Sequence, residues 1–189
     1  VHSVLLAEDI EHLMIGPILH DEPILANNEV LFYGQAIAAV LAETHDQAKK
    51  AALLVQAKIE ELEAVVTVEQ ALEKKSFLDD PIVVSTGDSQ AAIKRAKNTL
   101  NGSLSIGGQE HYYLEGQVAI SIPTENNEMV VHSSTQNPTE VQHLVAHVLD
   151  VPQNAIEVVT RRMGGGFGGK ETDSSQLACI CAIFSKRTL

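Results

Sequence analysis

The chain has 189 residues, 44% of them hydrophobic and 20% charged, and its 25 acids against 13 bases give a net charge of −12. Apolar content of that order supports a folded core and excludes disorder as the main state. The acidic balance excludes a duplex nucleic-acid binder and an anionic membrane surface as partners, because both are approached through cations. The longest apolar run, Leu177 to Phe184, has eight residues, far short of a membrane span. Val1 to Leu6 lack the basic region and full apolar stretch of a signal peptide. A first residue other than Met and a last segment that reads as helix are expected of a piece of a longer chain. Cys179 and Cys181 stand one residue apart in an apolar run. That suits buried thiols in a reducing, cytoplasmic compartment, since a disulfide between them would be strained.

The N-terminal part reads as a small α/β unit. Val30 to Tyr33 is expected to be a strand, Gly34-Gln35 a turn, and Ile37 to Leu41 a buried strand. Thr44 with Gln47 three residues on forms a helix-opening box. Ala48, Ala51, Ala52 and Val55 then recur on one helical face. Ala64 to Val68, apolar and β-branched, predicts a short strand or extended segment. From Glu73 the chain turns charged and rich in loop residues, with a short helix expected over 90–97, and the domain boundary falls in this stretch.

The second half carries stronger patterns. Leu104 and Ile106 alternate with polar residues. So do Val118, Ile120 and Ile122, which end at Pro123, and Met129 to Ser134 is the return strand of a hairpin. Asn137 caps a helix that has Pro138 at its first position and Glu140 three residues past the cap. Val141, Leu144, Val145, Val148 and Leu149 line one face of it. Ile156 to Thr160 is the following strand, so residues 129–160 make one βαβ unit. Asp173 with Gln176 predicts another box ahead of a buried apolar helix.

Between the last strand and that helix lies Gly164-Gly165-Gly166-Phe167-Gly168-Gly169-Lys170-Glu171. Five glycines in six positions are unfavourable in regular structure by about 1 kcal/mol each against Ala. They belong where the backbone takes positive φ or approaches something closely. A strand-to-helix junction also offers free N–H groups and a helix dipole to an anion. A mobile surface loop is the plainer alternative, and Phe167 with Arg161-Arg162-Met163 is poor linker composition. Gly164, Gly166 and Gly169 satisfy G-x-G-x-x-G, but the acid that a dinucleotide site needs about 20 residues on would fall where this chain stops, so the match is untestable and weak. Residues 164–170 also fit the first seven places of a P-loop, whose eighth must be Ser or Thr. Glu171 stands there instead, an anion where phosphate and metal would sit. His143 and His147, four apart on a helix, lack the glutamate of a zinc protease and read as exposed helical histidines. A second polar concentration, Gly107 to Gln117, packs amides, acids, an imidazole and two phenols around an expected strand. Ahead of a βαβ unit ending in a glycine loop, it suggests side chains converging on one pocket.

Three blocks, residues 107–117 (GGQEHYYLEGQ), 135–138 (TQNP) and 161–171 (RRMGGGFGGKE), resemble in order and spacing the xanthine dehydrogenase and aldehyde oxidase family of molybdenum hydroxylases. More narrowly they resemble the molybdenum-binding subunit of its bacterial members. Asp21 to Ala26 and Gly34 to Val40 resemble that family's α/β hammerhead domain. The resemblance implies an α+β fold: an incomplete hammerhead over residues 1–75, a linker over 76–98, and the first part of a molybdenum cofactor-binding domain over 99–189. It implies a molybdopterin cofactor whose dithiolene holds the molybdenum without a protein ligand. Gln109 would contact a molybdenum oxygen ligand, the backbone at Phe167 and Gly168 would lie against the cofactor, and Glu171 would bind and polarise the substrate. Glu171, where aldehyde-oxidising members usually carry an apolar residue, favours a purine: oxidation of hypoxanthine and xanthine to xanthine and urate. Electrons would leave through 2Fe-2S clusters and FAD, expected on a partner subunit of a hetero-oligomer, to NAD. The family's glutamate base and other substrate contacts would lie beyond Leu189, so this stretch alone is expected neither to hold the cofactor tightly nor to turn over. An aldehyde-oxidising relative, or a non-catalytic module that binds an anion or contacts a subunit, are the alternatives.

Overall fold

The computed structural model describes residues 1–188. These divide into two compact units, Val1–Val55 with Gln109–Leu189, and Gln56–Gly108.

The first unit is built on a three-stranded sheet of β5 (Ala119–Pro123), β6 (Met129–Ser133) and β7 (Ile156–Val159), in the order β5-β6-β7. The expected hairpin forms β5 and β6, antiparallel with Ile120 opposite His132. The expected βαβ unit then brings β7 parallel to β6 through helix α4 (Pro138–Leu149). Asn137 caps α4 as its spacing predicts: its Oδ1 accepts from the Glu140 N–H at 3.1 Å, and its amide donates to Glu140 Oε2 at 3.0 Å. Asp150, in the left-handed conformation, ends the helix. Val141, Leu144, Val145, Val148 and Leu149 are all buried. They share one core with Met129, Val131 and Ile156 of the sheet and with Ala178, Cys179, Ala182 and Ile183 of helix α5 (Ser174–Arg187).

The N-terminal residues of this unit join the same core through Leu5, Ile24 and Leu25, each with no exposed surface. They form two short antiparallel ladders, β1 (Ser3–Leu5) with β4 (Ala39–Leu41), and β2 (Met14–Ile15) with β3 (Glu22–Pro23). Helix α1 (His45–Ala52) is capped by Thr44, whose Oγ1 accepts from Gln47 N–H at 3.3 Å. Gln176 of α5 donates to the Ile24 carbonyl at 2.6 Å and Arg187 to that of Asp9, so α5 is tied to these residues at both ends.

Several local expectations are corrected. Val30 to Tyr33 is an exposed turn rather than a strand, because Gln35 closes it, its Oε1 accepting from the Leu31 N–H at 2.7 Å. Asp173 does not cap α5. Its backbone is already helical (φ −59, ψ −27), which turns the side chain away from the orphan N–H groups.

In the second unit, Ala64 to Val66 is not a strand, and Thr67 with Gln70 opens helix α2 (Val68–Lys74) by a reciprocal capping box. Helix α3 (Ser89–Arg95) follows, capped by Asp88. Leu104 and Ile106 are exposed and in no strand. No residue between 56 and 108 is buried, so local caps and the Lys74–Glu63 ion pair carry the order there.

Replacing Asn137 by Ala leaves the Glu140 N–H without its acceptor. The substitution is expected to lower the unfolding free energy by about 1 kcal/mol, read as a shift of the urea midpoint at unchanged slope.

Candidate functional site

The glycine run turns between β7 and α5, and the polar segment from His111 to Glu115 runs antiparallel beside it. Gly164 and Glu115 exchange two bonds: the Glu115 N–H donates to the Gly164 carbonyl at 3.2 Å, and the Gly164 N–H donates to Glu115 Oε2 at 2.9 Å. At the other end, the rings of His111 and Tyr113 lie over Gly169, each with an atom 2.7 Å from where a Cβ would stand. The approach at Gly164 is tighter still, 2.5 Å to the Glu115 Cβ. The crowding that demands glycine is therefore partly the protein's own. Gly168 is required differently, by a φ of +94°, which L side chains adopt only with strain. Phe167 also has positive φ (52°), and its ring is 75% exposed.

The turn is read from its other side by Gln136 of the TQNP block. Its Oε1 accepts from the N–H groups of Gly168 at 2.9 Å and Lys170 at 3.4 Å. Lys170 is the best-connected residue of the site. Its side chain has 0% exposure, yet it ends in an ammonium that donates to Glu115 Oε2 and to Ser134 Oγ, both at 2.9 Å. The same ammonium lies 4.8 Å from the centroid of the Tyr113 ring, within range of a cation–π contact. The Lys170 carbonyl accepts from Gln136 N–H at 2.8 Å and from the hydroxyls of Thr135 and Ser174, both at 3.2 Å. Glu115 is held well below the usual carboxylate range, at about 2. The Ser134 hydroxyl contributes most, then the Gly164 N–H, then the Lys170 ammonium.

The four residues singled out for the site fall on two segments of one unit. Gln109 is exposed and lies two residues before His111, whose ring touches the loop. Phe167, Gly168 and Glu171 are exposed on the loop itself. Glu171 lies close enough to the first turn of α4 that its charge acts on Glu140. Burial pushes the Glu140 carboxyl up, and the charges of Glu171 and Glu22 add to that, against the opposing bond from Asn137.

Lys170, Glu115, Ser134 and Gln136 were not singled out by the sequence. The available signal was a lysine inside a glycine loop that fits a P-loop up to its eighth place. His147 is not the exposed histidine expected, because its ring packs against those of His12 and His20, with centroids 5.1 and 4.4 Å away. Cys179 and Cys181 are free thiols, and burial raises the pKa of both.

The exposed side of this turn suits an anionic group. The amides of Gly165, Gly166 and Phe167 donate to no acceptor among the described residues, φ is positive at Gly165, Phe167 and Gly168, and of these residues Phe167 and Gly168 are exposed while Gly165 is half-buried and Gly166 buried. Such runs of N–H groups are anion-binding concavities. Among the described residues there is no cluster of three or more His, Cys, Asp and Glu side chains that could hold a metal ion.

Residues 73–189 match the molybdopterin cofactor-binding domain family, and residues 1–63 match the aldehyde oxidase and xanthine dehydrogenase a/b hammerhead domain. Over 170 residues the chain is 42% identical to a xanthine dehydrogenase of Dictyostelium discoideum, an alignment covering 90% of this chain and 12% of the relative. It is 40% identical over 185 residues to a xanthine dehydrogenase/oxidase of Rattus norvegicus (97% and 14%). It is 42% identical over 177 residues to a nicotinate hydroxylase of Emericella nidulans (91% and 13%). The chain thus spans about one seventh or less of the length of these relatives. Its fold is that of quinoline 2-oxidoreductase from Pseudomonas putida 86 (TM-score 0.79, 24% identity, covering 97% of this chain and 26% of that one). It is equally that of the aldehyde oxidoreductase of Desulfovibrio gigas (0.80, 23%, covering 97% and 23%).

Two outcomes follow from the packing. Gly164→Ala drives a Cβ into that of Glu115, which cannot swing aside, and should cost about 1–3 kcal/mol in chemical denaturation. Glu115, depressed to about 2, contributes stability that is fully present above the ordinary carboxylate range and is lost as pH falls through 2. The stability difference between the wild-type chain and Glu115→Gln should therefore shrink steadily as urea melts are repeated from about pH 5 down to pH 2.

Proposed function

The chain belongs to the aldehyde oxidase and xanthine dehydrogenase family of molybdopterin-binding proteins, and on that premise we propose that it forms one wall of the active site of a purine-oxidising molybdenum hydroxylase. The reaction we assign is the oxidation of hypoxanthine and xanthine to xanthine and urate. The observation that carries this is the exposed carboxylate of Glu171 at the end of a loop on which Phe167 and Gly168 are also exposed. The names of the relatives support the same class, since xanthine and nicotinate are both nitrogen heteroaromatics. The molybdopterin group, when bound, supplies the two-electron redox chemistry.

This chain's part is to bind and orient. The main chain at Phe167 and Gly168 supplies the surface against which the cofactor sits. The Gln109 side chain offers an amide donor to an oxygen ligand of the metal, without ligating the metal itself. Glu171 accepts from a ring N–H of the purine, which orients and polarises the ring, so it acts through position and electrostatics. We place the division between the two domains in the charged stretch 76–98, on its composition. The finer attribution is to a bacterial-type enzyme of the cytoplasm, a hetero-oligomer in which a partner subunit carries the 2Fe-2S clusters and FAD that pass electrons to NAD. The two free, high-pKa thiols of this chain suit a reducing compartment and are poor candidates for cluster ligands.

Glu171→Ala in the complete enzyme removes a charged acceptor, and kcat/KM for hypoxanthine should fall roughly 10- to 100-fold. Turnover of a small aldehyde, which has no ring N–H to bind, should change little. Equal loss on both substrates would assign Glu171 to structure, and no loss on either would remove it from the site.

A further inference from the structure

The function proposed above gives Lys170 no task, yet this residue lies between the last glycine and Glu171 and is the largest fully buried side chain of the described residues. Within the turn, the local bonds are two: Gly169 N–H to the Gly166 carbonyl at 2.8 Å, and Glu171 N–H to the Gly168 carbonyl at 3.4 Å. Five glycines give such a segment more conformational freedom than any other composition, and two short-range bonds do not select one conformer from it. The selection has to come from anchors outside the loop.

Lys170 supplies most of them. Its N–H, carbonyl and ammonium reach Gln136, Thr135, Ser134, Glu115 and Ser174, so one residue ties the loop to the 113–115 segment, to the turn after β6 and to the start of α5. Burying an ammonium is also a poor way to gain stability. An apolar side chain of like volume would fill the space without the desolvation penalty, and exchanging a buried ion pair for apolar residues is often neutral or favourable. What the charge adds is direction: an ammonium must meet its carboxylate and hydroxyl, whereas a methyl group accepts many arrangements.

We propose that Lys170 is the positioning residue of this site, its ammonium seated on Glu115 and Ser134 so that residues 164–171 hold the single arrangement that presents the Phe167–Gly168 main chain and the Glu171 carboxylate. The task rests on reading the loop as the cofactor and substrate edge. The anchoring itself does not, and the two are tested apart.

The test is amide hydrogen exchange on the purified chain, which requires neither cofactor nor turnover. Lys170→Met should accelerate exchange at Gly168, Gly169 and position 170 by about tenfold or more relative to core amides of α4 such as Val145. Lys170→Arg, which keeps the charge, should restore part of the protection. The double variant K170M/E115Q removes both charges at once. It should recover the thermal midpoint lost in either single variant while the loop amides remain fast, because apolar filling replaces the stability but not the direction. Glu115→Gln alone keeps the shape of the cluster and serves if Lys170→Met does not fold; it too should accelerate the loop selectively. Unchanged loop exchange in both single variants would overturn the proposal, as would uniform acceleration of loop and core. So would a double variant that regains loop protection together with its midpoint. In the complete enzyme, Lys170→Met should raise KM for a purine more than for a small aldehyde, following Glu171→Ala. If the exchange result holds while Glu171→Ala leaves purine selectivity intact, the anchor stands and the substrate assignment falls.

Discussion

A buried ammonium is the constraint around which this site is organised. Lys170 has no exposed surface, and an isolated ion so placed carries a penalty of several kcal/mol. The penalty is offset only if partners stand at fixed positions, and here they come from separate parts of the chain: Glu115 from the segment ahead of β5, Ser134 from the end of β6, and the face of Tyr113. Satisfying one charge therefore brings two distant stretches of sequence against the glycine loop. Glu115 is itself over-determined, accepting from Ser134, Gly164 and Lys170, which keeps it an anion far below neutral pH. The pair is asymmetric, since the lysine is enclosed while the carboxylate is 39% exposed, so solvent helps to carry the negative partner.

The glycines follow from that arrangement. With Glu115 drawn to Lys170, its Cβ stands where a side chain on Gly164 would be. With Gln136 drawn to the amides of Gly168 and Lys170, its Oε1 lies 2.5 Å from a Cβ on Gly166. A glycine run can be read as room for a ligand, and part of this one is room for the protein's own polar groups. Of the amides left over at 165–167, the one on an exposed residue is that of Phe167.

How much of this was legible in the sequence depends on whether the signal was local. The caps at Thr44 and Asn137, the hairpin 119–133 and the parallel return of β7 all rest on contacts a few residues long or on periodicity, and each formed as read. Two errors were also local, and each arose where side-chain hydrogen bonds outweighed composition. Gln35 closes a turn over the apolar run 30–33, and Thr67 with Gln70 starts a helix inside 64–68, where β-branched residues suggested a strand or extended segment. The Lys170 cluster could not be read in this way, because its partners are 36 and 55 residues distant and no periodicity links them. Sequence showed a lysine out of place in a failed phosphate motif, and only the packing shows why a charge is needed there. The His147 contacts with His12 and His20 were hidden for the same reason, joining α4 to residues more than 120 positions earlier.

Position and electrostatic field at Glu171 come from different elements. The loop, pinned at Lys170, decides where the carboxylate is, whereas α4 decides what surrounds it. Glu140 stands in the first turn of that helix, where the dipole favours an anion, yet burial and the charges of Glu171 and Glu22 push its carboxyl up. The Asn137 amide opposes that shift by holding Glu140 Oε2, so the residue that caps α4 also steadies the charge of the acid next to the cap. Glu171 thus has its place set through the residue before it, while its charge acts on a carboxyl in the first turn of α4.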